Sequence, residues 1–141
     1  MKLEAAPDTN LLANPEGIDV SNWQGSINWD AVRGAGIEFA WMKATEGTTY
    51  KARTGRDVVI CTSPSWWNSC TGGWTGMSTR SPLWVAHWTS AGSPGIPQGF
   101  PYWTVWQYTS TGSVSGISGN VDRDRFSGDR SRLLALANNT P

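Results

Sequence analysis

Net charge is what this chain most plainly lacks. Its 141 residues hold eleven Lys and Arg against eleven Asp and Glu. Neither sign gathers into a long run, which excludes an electrostatic grip on nucleic acid or on an anionic membrane. No apolar run approaches the length that spans a bilayer, so no membrane insertion is expected. Cysteine is scarce. Cys61 and Cys70, with His87 as the single histidine, offer no metal-ligand spacing, and neither a metal nor a cofactor is expected. The two thiols either close a small-loop disulfide in an oxidising compartment or stay free; their spacing does not choose. His87 lies inside an apolar strand pattern and reads as a hydrogen-bonded structural residue. Residues 1–16 form a polar, acidic leader unlike a signal peptide, so export information was either trimmed from this chain or never present. Residues 17–141 make one domain's length.

Against these absences stands one excess: ten tryptophans, beside three phenylalanines and three tyrosines. Tryptophan offers a broad apolar face and one N–H donor, which suits a ligand apolar on its face and polar at its rim, such as a pyranose ring. Core filling accounts for about half of them. Trp84 and Trp103 are read as core. Of the Trp66–Trp67 pair, at least one ring is expected to be exposed or to cover a barrel end.

The most informative stretch runs from Gly17 to Gly47. A strand over Gly17–Val20 delivers Asp19, and a helix over Trp29–Arg33 follows, capped by Asn28 and stopped by Gly34 and Gly36. A second apolar strand, Ile37–Met42, leads to Glu46. One acid beyond each strand builds a site at the carboxyl edge of a parallel sheet. Further strands are expected at Asp57–Thr62, Leu83–Trp88 and Trp103–Tyr108, with Val121–Phe126 a short segment carrying two acids and Ser131–Asn138 a terminal helix. Pro64–Thr79 reads as a loop and Ser110–Asn120 as a polar turn region. The unbroken apolar character of Ile37–Met42 implies cover on both faces, as in a parallel α/β sheet. Helices are too few for that sheet. The stretch between Met42 and Asp57 is a poor helix, although a parallel crossover needs roughly a dozen residues and usually a helix.

GIDVSNWQG, INWDAVRGAGIEFAWMKATEG, the WW pair of SPSWWNSCTGGW, SPLWVAHW, WTVWQYT and VDRDRF together resemble the glycoside hydrolase family 25 lysozymes. These are bacterial and phage N-acetylmuramidases that cut the β-1,4 link of peptidoglycan. The resemblance, closest to secreted actinobacterial members, implies a modified β/α barrel with an acidic groove at the carboxyl ends of its strands. A complete eight-stranded barrel takes ~200 residues or more, so the fold expected here is α/β: an incomplete or modified barrel of mainly parallel strands, lacking the family's middle strands and helices. Residues 17–51 match the first strands, and 52–141 the later strands and C-terminal helix, with a missing block implied at Lys51–Ala52. That block would hold the family's Asp-x-Glu motif, whose Glu is taken as the proton donor. No Asp-x-Glu occurs in this sequence.

By resemblance the remaining catalytic positions are Asp19, Glu46 and Asp122, and the substrate-binding ones Trp88, Trp106 and Gln107. Each acid has a second reading: Asp19 capping the following turn, Glu46 as an exposed turn acid, Asp122 paired with Arg123 or Arg125. Clustered carboxylates raise one another's pKa, which keeps an acid protonated near neutral pH. Cys70 resembles a position that pairs with a cysteine inside the absent block, and Cys61 stands where a tyrosine is usual. The resemblance implies an extracellular enzyme acting on peptidoglycan glycan strands, weakened by loss of Asp-x-Glu. Two alternatives stand beside it: a wall-binding remnant without catalysis, and a non-functional deletion product. Loss of the middle block exposes two sheet edges through which the chain would oligomerise, unless Ile37–Met42 pairs directly with Asp57–Thr62.

Overall fold

The computed structural model describes residues 14–42 and 59–138. Glu46, the Lys51–Ala52 junction and Asp57 lie outside them. Among the described residues six strands and three α-helices follow in the order β1 (Glu16–Val20), α1 (Trp29–Gly34), β2 (Phe39–Met42), β3 (Ile60–Thr62), α2 (Pro64–Cys70), β4 (Leu83–Ala86), β5 (Val105–Gly112), β6 (Val121–Phe126) and α3 (Arg130–Asn138), with a 3-10 turn at Asn22–Gln24 after β1. The strands form one sheet in the order β2-β1-β6-β5-β4-β3. Three neighbouring pairs are parallel, β1–β2, β3–β4 and β4–β5. β6 runs antiparallel to β1 and to β5, so the sheet is mixed. β2 and β3 stand at its two ends; among the described residues they do not pair.

Local chemistry explains most of these elements. The Asn28 side chain accepts the Ala31 N–H at the start of α1, and the Val32 side chain is the buried face of that short helix. Ser21, not Asp19, caps the turn after β1: it accepts from Trp23, and Gln24 reaches back to the Ser21 N–H at 2.7 Å. The loop expected from Pro64 onward begins instead as helix α2. Ser63 accepts the Trp66 N–H and Pro64 opens the first turn, where its missing N–H costs nothing. β5 likewise extends beyond Tyr108 through residues read as a turn. Glu16 belongs to β1 rather than to the leader, and Pro15 before it is fully buried.

Alternation along the strands divides the sheet into two faces. On one, Ile18, Val20 and Val121 pack with Val32, Ile37 and Val114 under α1, and Leu83, Val85 and Trp106 pack with Trp67, Phe100 and Trp103 under α2. On the other, Val105 and Phe126 are plugged by Leu133 and Leu136 of α3, with Phe39, Trp41 and Trp84 against them. Burying each such side chain stabilises by about 1.5–3 kcal/mol. This second face is concave. Trp41 of β2 stacks on Trp84 of β4, ring centroids 5.8 Å apart and planes at 29°, although three strands separate β2 from β4 in the sheet. The sheet therefore curls into a half-barrel. β2 is covered on this face only, since Ala40 and Met42 are exposed; the apolar run Ile37–Met42 reads as doubly covered, but its outer neighbours are absent among the described residues. Gly17 makes the curl possible, because a Cβ there would run into the Phe39 ring.

Candidate active site

Asp19 near the end of β1 points into the concave face. Because β6 is antiparallel to β1, register places Asp122 opposite Asp19 and Asp124 opposite Gly17. Three carboxylates thus meet on one face, two contributed by a single strand at alternate positions. Gln107 of β5 faces Asp124 in register and donates its Nε2–H to Asp19 Oδ2 at 2.7 Å. Trp88, just beyond β4 and 62% exposed, donates its indole N–H to Gln107 Oε1 at 3.0 Å. The relay Trp88–Gln107–Asp19 fixes the carboxylate's orientation from an indole that is itself open to solvent.

Electrostatics set the protonation states. Burial, followed by the charge of Asp122, raises Asp19 to about 6 in spite of the Gln107 hydrogen bond, which works the other way. Asp124 is fully buried. Desolvation first, then the charges of Asp19 and Asp122, push it to about 8 against the Trp84 indole N–H, which donates to its Oδ1 at 2.9 Å. Near neutral pH Asp124 is therefore largely a neutral acid and Asp19 a carboxylate. Cys61 of β3 has an exposed residue surface, yet register opposite Trp84 puts it on the same face as the cluster. Desolvation and the charges of Asp19, Asp124 and Asp122 push it up to about 11. Both cysteines are free.

The structure brings together Asp19, Asp122, Gln107 and Trp88. Trp106 does not join them. It is buried among Trp103, Tyr108 and the α2 cluster on the opposite face, and its indole N–H donates to the His87 backbone carbonyl at 2.7 Å. The reason is alternation: a residue next to inward-facing Gln107 must face outward. Asp124 and Trp84 are the additions. Asp124 was legible as the second acid of Asp122-Arg-Asp, two residues on and hence on the same face; the inward turn of Trp84 had no signal in the sequence. His87 is structural, its Nδ1 accepting the Gly95 N–H at 2.8 Å. Trp66 is exposed and Trp67 buried.

Beside Trp88 a cavity of about 470 Å³ is lined by Ser63, Pro64, Ser65, Ala86, His87 and Trp88, a size that suits a small polar ligand. A larger hollow of about 650 Å³ lies along β2 and reaches Arg130 of α3. None of the three clustered aspartates lines either hollow; the smaller one adjoins them through Trp88, whose indole bonds the Gln107 side chain that holds Asp19. Among the described residues no group of His, Cys, Asp and Glu is arranged to hold a metal ion.

The family model described as glycosyl hydrolases family 25 matches residues 18–54 and 48–117. Lysozyme M1 of Streptomyces globisporus is 37% identical over 230 aligned positions, covering 98% of this chain and 78% of that protein. An N,O-diacetylmuramidase of Arthroderma benhamiae is 41% identical over 104 positions, covering 73% of this chain and 41% of the relative. The crystal structure of the bacterial lysozyme from Streptomyces coelicolor is 37% identical, with a TM-score of 0.82 over 95% of this chain and 100% of that one. The muramidase of Trichobolus zukalii, at 23% identity and a TM-score of 0.75, shares the fold. With a carboxylate cluster inside a half-barrel and relatives of this kind along nearly its whole length, the chain belongs to glycosyl hydrolase family 25, as a glycoside hydrolase of muramidase type.

Proposed function

We propose that this chain binds the glycan strands of peptidoglycan outside the cell and hydrolyses the β-1,4 link between N-acetylmuramic acid and N-acetylglucosamine only slowly. Relatives named lysozyme and N,O-diacetylmuramidase support the substrate class. The Trp88–Gln107–Asp19 relay supports the binding: the Trp88 ring offers a stacking face beside the cavity, and Asp19 and Asp122 supply acceptors for sugar hydroxyls and acetamides.

One observation carries the weak hydrolysis. Cutting a glycosidic bond needs an acid in contact with the leaving oxygen and a second group at the anomeric carbon. Among the described carboxylates of the cluster, Asp124 holds its proton to about 8, and it is wholly buried, out of reach of a sugar. Asp19 faces the groove, but above about 6 it is ionised. Among the described residues the two raised acids are therefore, near neutral pH, a half-buried carboxylate, Asp19, and a protonated but wholly buried acid, Asp124. Loss of an internal block at Lys51–Ala52, with the family's Asp-x-Glu, accounts for this. Two features support such a loss: the family match falls into two segments meeting at residues 48–54, and the alignment of 230 positions to Lysozyme M1 exceeds the 141 residues of this chain.

Turbidity of a bacterial cell-wall suspension, with co-sedimentation on insoluble peptidoglycan, tests the reading. The expected result is co-sedimentation with clearing far slower than that of the Streptomyces coelicolor lysozyme, faster at pH 5 than at pH 8 because Asp19 gains its proton, and abolished by Asp19→Asn. Brisk clearing at pH 8, or clearing indifferent to Asp19→Asn, overturns it. Binding without any clearing at pH 5 favours a wall-binding module, which the exposed Trp88 beside the cavity would serve.

A further inference from the structure

Asp124 has an environment that simple burial does not require. One of its oxygens accepts from Trp84, while the other, Oδ2, is buried without a protein donor. A buried carboxylate oxygen lacking a donor carries a large desolvation cost. A carboxylic acid avoids it, provided an acceptor lies within reach of the O–H. Asp19 is the nearest candidate acceptor by register: it lies on the same face as Asp124, diagonally across the β1–β6 ladder, and each influences the other's titration. Gly17, directly opposite Asp124 in register, contributes no side chain that would separate them. Trp41, stacked on Trp84, closes the concave face over the donor that holds Asp124 Oδ1.

We propose that Asp124 is a positioning residue of this groove: it keeps a proton inside the half-barrel and donates that hydrogen bond to Asp19, which it holds as the charged carboxylate facing the sugar. Asp19 is then gripped from two sides, by the Gln107 amide and by the Asp124 acid. Among the described residues the titratable groups facing Asp124 are Asp19 of β1, Asp122 of its own strand and the Cys61 thiol of β3. All are neutral or negative, so none favours ionising it. Arg123 and Arg125, its neighbours in sequence, are directed to Glu16 on the opposite face. The placement of Asp19 in the groove rests on the reading of the site as a muramidase groove; the proton shared with Asp124 is a property of the free protein and is measured without peptidoglycan, so slow or absent lysis does not bear on it.

The experiment is a carboxyl-carbon NMR titration of the free chain labelled at its aspartates, with Asp19→Asn assigning one signal of the pair. The wild-type chain is expected to show one aspartate still in the acid form at pH 7, titrating near 8, and Asp19 titrating near 6. Asp124→Asn removes the acid signal but keeps a donor, so the Asp19 midpoint stays near 6; Asp124→Ala removes the donor, and that midpoint rises. A role confined to packing would leave the Asp19 midpoint alike in both variants. No acid-form aspartate at pH 7, or an unmoved Asp19 in Asp124→Ala, overturns the proposal. Should Asp124→Ala fail to fold, Asp19→Asn replaces it: loss of the carboxylate that accepts the Asp124 proton must lower the Asp124 midpoint, and an unchanged midpoint overturns the proposal equally.

Discussion

The two faces of β6 make opposite use of charge. Outward, Arg123 and Arg125 converge on Glu16 at 3.1 and 2.7 Å, Tyr108 donates its hydroxyl to the same carboxylate at 2.7 Å, and the Arg125 guanidinium lies 4.5 Å from the Tyr108 ring centroid. Inward, Asp122 and Asp124 meet Asp19, and among the described residues no cation is among the groups that shift Asp19 and Asp124. One strand of alternating acid and base thus builds a neutralised cluster on its outer face and a like-charged one on its inner face. The outer cluster holds β1, β5 and β6 together. The inner one opposes folding at high pH and is tolerable because one carboxyl keeps its proton. Concentrated like charge on the inner side is the mark of a site, since stability alone would not assemble it.

The largest effect expected from disturbing this contrast is on the pH dependence of stability. Asp124 and Asp19 are both raised on folding, so the folded chain holds protons that the unfolded chain has released. Stability is therefore full below the ordinary aspartate value of 3.8 and declines as pH rises through about 6 and about 8. Urea midpoints measured from pH 4 to pH 9 should fall, and Asp124→Asn should remove most of the fall; a rising midpoint contradicts the inner-face account. Next in size is Glu16→Ala. It leaves two guanidinium groups and a phenol facing each other across half-buried surface, and should cost about 1–3 kcal/mol in urea unfolding, between the values for exposed and buried pairs. A loss of only a few tenths would mean that the outer cluster contributes little. The smallest effect is chemical. Cys61, pushed up to about 11, should alkylate slowly with iodoacetamide at pH 8, because the thiolate is the nucleophile. Rapid modification there would mean that the thiol does not face the acids.

Much of this was legible in the sequence because it is local. Asn28 before Trp29 marks a helix start; Gly17–Val20 became β1 with Glu16 added at its start, and the apolar runs Ile37–Met42 and Leu83–Trp88 became β2 and β4 with trimmed ends. The alternation rule that places Asp19 and Gln107 inward also excludes Trp106 from the groove, a consequence available from the residue numbers alone. Helix α2 was announced by Ser63-Pro64, but the serine, threonine and glycine around it outweighed that signal. What could not be read is non-local. The antiparallel run of β6, which sets Asp122 against Asp19, depends on topology, and the raised titration of Asp124 depends on burial among distant parts of the chain. Nothing in Trp41 or Trp84 separately says that they will meet.

That meeting has a consequence for how such a sheet tolerates change. A barrel seam made of backbone ladders has a register to keep, and strands enter or leave it in steps of roughly 4.8 Å. Two stacked indoles obey no register; flat rings slide and tilt over a continuous range. A curved sheet bridged across its hollow by an aromatic pair, with helix residues packed beside it, is less bound to the arithmetic of strand number than one closed by hydrogen bonds.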